Sequence, residues 1–233
     1  CVLPVRGLTH GLELVFRLAA RENLRVEAPD AEPYRALAAL YAPPAADAPT
    51  GAIILRALGS PEAVAEMAER VAPALLVMDE GMAEFADAAS AATIIRDHAN
   101  LVVLRSLSLA YGLAGARVGA ALGQPAAIAR LASVQEPYAL SEVAIRLALQ
   151  ALDPSRMMET TARITLVRSE RERLTRALSR DMKIEPGFGP VIMARPAHPD
   201  AVLAALARFG LAAERADDRL RLPVSARAEV NDR

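Results

Sequence analysis

An α/β fold is what this sequence predicts: a mostly parallel central sheet with helices on both faces, and a smaller α+β unit after it. Three observations lead there. Short aliphatic runs read as strands buried on both faces, amphipathic stretches alternate with them, and from about Pro125 the pattern turns to long helices. Gly7 to Gly11 supplies a tight turn, and Leu12 to Arg21 (LELVFRLAAR) places apolar side chains at helical spacing. Leu24 to Ala28 (LRVEA) and Gly51 to Leu55 (GAIIL) read as buried parallel strands. Pro33 to Tyr41 reads as a helix between them, and Ala42 to Thr50 as a loop. Pro61 to Ala72 is a helix with Ser60 as its N-cap and a proline at its first position. Strands follow at Ala74 to Met78, ending in Asp79 and Glu80, and at Leu101 to Arg105, approached by Ile94 to Ala99. A further apolar segment spans Val118 to Leu122.

Beyond Pro125 the helical patterns are Pro125 to Val134, Ser141 to Leu152 and the Arg-rich stretch Arg156 to Arg180, a solvated helix with one face on a core. A strand (Val191 to Ala194), a helix (Pro199 to Phe209) and a final strand (Arg219 to Leu222) complete the chain. The expected division is a large α/β domain over residues 1–130 and a small C-terminal domain over 131–233.

Composition excludes several classes of function. At 233 residues, 53% hydrophobic and 24% charged, the chain is not disordered. With 27 basic against 28 acidic side chains it has no electrostatic footprint for nucleic acid or an anionic membrane, which leaves small metabolites as the expected partners. Cys1 is the single cysteine, so neither an internal disulfide nor a thiolate zinc site is expected, and a reducing cytoplasm is the default location. The most apolar stretch, Leu101 to Gly123, is interrupted by Arg105 and Arg117 and is a poor membrane span, and no signal peptide is visible. A chain that begins at Cys1 is expected to be processed, trimmed or a fragment. His10, His98 and His198 show no ligand spacing, so no metal site is expected.

In a parallel sheet, ligands bind at the carboxyl ends of the strands, where Asp79 falls. Its carboxylate there suits a cationic ring nitrogen or a hydroxyl, and equally suits a solvated cap. Arg105-Ser106-Leu107-Ser108 follows another strand end, with two hydroxyls on alternate positions and a guanidinium nearby; it reads as a phosphate cradle or as an ordinary Ser-rich turn. Gly7-Leu8-Thr9 before the first helix offers backbone N–H groups to an anion, aided by the helix dipole.

The run Asn100 to Gly119, NLVVLRSLSLAYGLAGARVG, closely resembles the active-site segment of the class I/II aminotransferases of pyridoxal-phosphate fold type I, and in particular the histidinol-phosphate aminotransferase branch. Other segments fall in family order: LPVRGLTHGLEL (Leu3 to Leu14) is similar to the phosphate-loop segment, LLVMDEGMAEF (Leu75 to Phe85) to D-E-A-Y-x-E-F, and LRLPV (Leu220 to Val224) to L-R-[IV]-[TS]-[VIL]. The resemblance implies pyridoxal 5'-phosphate as cofactor. It implies that Asp79 pairs with the pyridinium nitrogen, and that Ser106, Ser108 and Arg117 hold the phosphate together with N–H groups near Gly7 and Leu8. It further implies that Arg221 clamps the substrate α-carboxylate and that Tyr34 reaches the cofactor of a partner subunit. An amino acid and a 2-oxo acid are the implied small-molecule partners, and a homodimer or a dimer with a paralogue is the implied assembly.

The departures from the family pattern are equally specific. Leu109 stands where the family has the Schiff-base lysine, and leucine has no nitrogen to anchor a carbonyl or move a proton. Met82 replaces the tyrosine of D-E-A-Y, the stacking aromatic is replaced near Ala31, and Arg56 to Pro61 (RALGSP) carries no asparagine where the family has N-N-P-T-G. The only lysine, Lys183, reads as a surface residue. The expectation is an aminotransferase-like protein with no retained catalytic residue and impaired transamination, a pseudoenzyme. Three alternatives accompany it: an active enzyme if residue 109 were lysine, a noncatalytic binding or regulatory subunit, and a relative of threonine-phosphate decarboxylase.

Overall fold

The structure, a computed structural model, describes residues 1–41, 51–86, 89–187 and 189–232. The loop expected at 42–50 lies outside them. Contacts divide the chain into two units, one of residues 1–83 and 87–152, the other of 84–86 and 153–233. This division falls later than the expected 130/131 boundary because α4 (Pro125–Ala132) packs its buried Ala127, Ile128 and Leu131 into the core of the first unit, and α5 (Glu142–Ala151) packs Ala144 and Ala148 beside Val118.

The first unit is built on a six-stranded sheet. Its strands are β1 (Val2–Val5), β2 (Leu24–Glu27), β3 (Gly51–Ala57), β4 (Leu75–Glu80), β5 (Leu101–Ser106) and β6 (Gly119–Gly123), in the order β1-β6-β5-β4-β3-β2. The run from β2 to β5 is parallel, as expected. The segment expected over 118–122 is β6, and it runs antiparallel to both β5 and β1. Strand β1 was not anticipated from its sequence, because Val2–Val5 is short and carries a proline; its place at the sheet edge is where proline is tolerated.

Alternate residues of the inner strands enter opposite cores. Ile53, Leu55, Leu75, Val77, Val102 and Leu104 meet α1 (Gly7–Glu22), α2 (Tyr34–Leu40) and α4 on one face. On the other, Ile54, Leu76, Met78, Leu101 and Val103 meet α3 (Pro61–Val71), through Val64 and Ala68, and the 3₁₀ turn Ala91–Ile94. Each fully buried Leu or Ile contributes roughly 1.5–3 kcal/mol of transfer free energy, so this two-sided burial is the main stabilising term. Helix α1 begins earlier than its periodicity predicts, at Gly7, so the expected turn is its first turn. Ser60 caps α3 as predicted, its hydroxyl accepting from the Ala63 N–H. The approach to β5 is the 3₁₀ turn at Ala91–Ile94 rather than extended chain. The buried Glu80 fixes it, accepting from the Ala91 N–H at 2.7 Å and from the Ser90 hydroxyl, with the Arg105 guanidinium at 3.3 Å.

The second unit holds α6 (Met157–Leu178), a four-stranded antiparallel sheet and two further helices, α7 (Pro199–Arg208) and α8 (Ala228–Asn231). Its strands β7 (Lys183–Ile184), β8 (Val191–Arg195), β9 (Glu214–Ala216) and β10 (Arg219–Pro223) run in the order β7-β8-β10-β9. Strands β7 and β9 are too short for their side-chain alternation to register in sequence; pairing with β8 and β10 creates them. Among the described residues, no helix is long and apolar enough to cross a membrane.

Candidate functional site

The register of the first sheet brings the predicted residues of that unit to one edge. Asp79 pairs with Leu104 near the carboxyl end of β4, Ser106 ends β5, and Gly119, the first residue of β6, lies opposite both Ser106 and the last residue of β1, Val5. The chain leaving β1 then turns through Arg6 into α1, so the helix N-terminus opens at this same edge. That turn requires glycine: Gly7 has φ +72°, a conformation L side chains rarely adopt, and a Cβ on it would lie 2.8 Å from Nη2 of Arg117. Gly119 is required for a different reason. A Cβ there would lie 2.5 Å from the Arg105 carbonyl and 3.2 Å from the Gly7 carbonyl carbon, so glycine lets β6 pass close to both backbones.

Around this edge stand groups that could hold an anion. The exposed Arg117 stands in the left-handed region at φ 54°, with its guanidinium against Gly7 and donating to the Ser108 hydroxyl at 3.3 Å. The Ser106 hydroxyl, buried, accepts from the Ser108 N–H at 3.1 Å and so shapes the turn that carries Ser108. No carboxylate among the described residues pairs with Arg117, and the N-cap position of α1 provides no side-chain cap, so the first-turn N–H groups and one positive charge converge without a counter-ion. Leu8, partly buried, follows Gly7 in that first turn.

Asp79 is held rather than solvated. Its Oδ1 accepts from the Gly81 N–H at 2.9 Å and its Oδ2 from the Tyr34 hydroxyl at 2.5 Å. Within its own chain the buried Tyr34 thus gives its hydroxyl to Asp79. Burial, then the Asp79 charge, pushes the tyrosine hydroxyl well above its ordinary range, so it remains a donor that orients the carboxylate.

The residues that depart from the family pattern offer no ring chemistry. Leu109 is 40% exposed, directly after Ser108; Met82 follows β4 in a turn; Ala31 packs on the core cluster under α1. Of the segment Arg56 to Pro61, Arg56 donates to the Glu27 and Leu55 carbonyls and Ser60 caps α3. Arg221 lies in the second unit, on β10, exposed and paired with Glu214 at 2.9 Å. No group of three or more His, Cys, Asp or Glu that could hold a metal occurs among the described residues. Two participants had no signal in the sequence: the Tyr34–Asp79 bond, and His10, whose Nδ1 accepts from the Arg6 N–H at 3.0 Å.

The family model described as aminotransferase class I and II matches residues 46–213. A histidinol-phosphate aminotransferase of Stenotrophomonas maltophilia is 38% identical over 179 residues, 71% of this chain and 49% of that protein. One from Xylella fastidiosa is 36% identical over 160 residues, 65% of this chain and 44% of its own. The chain thus spans about half the length of the curated relatives it matches. Among solved structures, histidinol-phosphate aminotransferase from Sinorhizobium meliloti in complex with pyridoxal-5'-phosphate superposes with a TM-score of 0.79 at 20% identity, covering 99% of this chain and 73% of that one. L-threonine-O-3-phosphate decarboxylase from Porphyromonas gingivalis does so with 0.83 at 18% identity, covering 99% and 80%. The fold is therefore that of the fold type I aminotransferases, and with a family match over most of its length this chain belongs to the class I and II aminotransferases.

Proposed function

We propose that the first unit is a pyridoxal-phosphate site of the histidinol-phosphate aminotransferase type, with its noncovalent anchors retained and its covalent chemistry lost. The observation that carries this reading is the Arg117 guanidinium set against Gly7 at the uncapped N-terminus of α1, with Ser108 beside it. The donor set fits the cofactor's phosphate: a fixed guanidinium, the Ser106–Ser108 turn, and N–H groups at Gly7 and Leu8 where the helix dipole favours negative charge. Asp79, oriented by Tyr34 and Gly81, fits a protonated pyridine nitrogen. The residues do not fit a covalently held or stacked ring, since Leu109 has no amine, Ala31 no ring face and Met82 no hydroxyl.

When bound in an active relative, the cofactor supplies an electron-withdrawing ring; in this chain the residues bind and orient, and none at position 109 moves a proton. Arg221 is proposed to hold the α-carboxylate of an amino acid or 2-oxo acid, and a homodimer or a dimer with a paralogue, in the cytoplasm, is the proposed setting. Substantial transamination is not expected. The test is titration of the purified protein with pyridoxal phosphate, followed by desalting, beside a coupled assay of 2-oxoglutarate consumption with histidinol phosphate. Reversible binding that desalting removes, weakened at least about tenfold in Arg117→Gln, supports the reading. Cofactor colour that survives desalting, or turnover comparable to an active relative, overturns the loss of function.

A further inference from the structure

Resting on the anion cradle just described, we propose that His10 is a positioning residue for it, holding in place the turn through which Gly7 enters α1. Arg6 is the N-cap of that helix, and its N–H donates to Nδ1 of His10 at 3.0 Å, one turn further on. The imidazole is 3% exposed, and its Nε2 lies 3.2 Å from Oε2 of Glu136, a carboxylate also held by Arg6 and Arg17. Because Nδ1 accepts, the ring's proton sits on Nε2 and is directed at Glu136. Both nitrogens are thus spent inside the fold.

A buried imidazole costs desolvation that an apolar side chain of similar volume would not, and hydrogen bonds at both ring nitrogens offset that cost here. The atom it fixes is the amide immediately before Gly7, whose left-handed φ sets where the first N–H groups of α1 stand relative to Arg117. Without that acceptor the Arg6 N–H loses its partner and the turn gains freedom at the point where phosphate is bound.

Two substitutions separate the ring's contacts by geometry. In His10→Asn the side-chain oxygen sits at the position of Nδ1, which keeps the acceptor for Arg6 and abandons Glu136. In His10→Gln the amide reaches the position of Nε2, which keeps Glu136 and abandons Arg6. Amide exchange at Arg6, perturbation of the Gly7 and Leu8 amides by inorganic phosphate, and the affinity ratio of pyridoxal phosphate to pyridoxal are measured for each. The Gln variant is expected to exchange faster at Arg6 and to bind both phosphates about five- to tenfold more weakly, the loss typical of a helix cap. Its pyridoxal affinity is expected to be unchanged, and the Asn variant to stay near wild type.

Equal behaviour of Asn and Gln overturns the proposal, as does parallel weakening of pyridoxal. Glu136→Gln, which weakens the other ring contact and the ion pairs with Arg6 and Arg17 but leaves Nδ1 to the Arg6 N–H, is expected to bind phosphate normally; weakened binding there would also overturn it. A wild-type protein whose Gly7 and Leu8 amides ignore phosphate overturns the cradle itself and the role of His10 with it. Phosphate binding that is indifferent to both His10 variants removes only the role of His10.

Discussion

Replacing Gly119 with alanine should damage the first unit out of proportion to the single methyl added. The ideal Cβ lies 2.5 Å from the Arg105 carbonyl oxygen, whereas ordinary contact begins at 3.4 Å, so about 0.9 Å must be found. It cannot come from a flexible side chain, because the obstructing atoms are backbone: Arg105 in β5 on one side, and Gly7 at 3.2–3.3 Å towards the entry of α1. That places the change near the top of the usual overpacking range, about 3 kcal/mol, and lowers the melting temperature by roughly 6–12 °C. Gly115→Ala is the control. Nothing lies within 4 Å of its Cβ, so a change within about 0.5 kcal/mol is expected. Scanning calorimetry measures both variants, and hydrogen exchange of β5 and β6 amides assigns the transition to this unit, since two units can melt separately. A Gly119→Ala protein that melts within about 2 °C of wild type, or a Gly115→Ala protein that falls as far, would refute the close-approach argument.

Three other outcomes follow from the same geometry. Tyr34→Phe leaves Oδ2 of Asp79 without its donor and should cost about 2 kcal/mol, visible as an earlier thermal transition; an unchanged transition would mean that water replaces the hydroxyl without loss. Burial alone would raise the Glu136 carboxyl, but its own backbone N–H, His10 and Arg6 outweigh burial and hold it at about 2 against an ordinary 4.5. A depressed folded value stabilises above the unfolded one and is lost as pH falls, so stability should decline between about pH 4.5 and 2. With the side chain 29% exposed, solvent screening limits the effect to about 1–2 kcal/mol. Denaturant titrations across that range should show the decline, and Glu136→Gln should flatten it; an equally steep limb in the variant counts against the assignment. Leu109→Lys, at a 40% exposed position, should leave the fold intact and, after borohydride reduction with pyridoxal phosphate, add one pyridoxyl phosphate by mass. Absence of the adduct at saturating aldehyde would show that residue 109 is not beside the bound carbonyl.

Which parts of this protein were legible in its sequence follows from the range of the forces involved. The strands from β2 to β5 were readable because burial on both faces demands continuous aliphatic runs, and α3 because Ser60 and Pro61 act on their own backbone. Asp79, Ser106, Ser108, Arg117 and Gly7 could be proposed as site residues because short motifs carry them, and the leucine at position 109 is visible in one letter. The antiparallel sense of β6, the edge strand β1 and the two-residue β7 were not readable, since each exists only through a partner far away in the chain. The same holds for Tyr34 on Asp79, separated by 45 residues, and for His10 on Glu136, separated by 126. Local sequence fixes backbone preference and chemical type. Which carboxylate a buried hydroxyl or imidazole meets is decided by packing, because the cost of leaving either unpaired selects a partner only once the chain has folded.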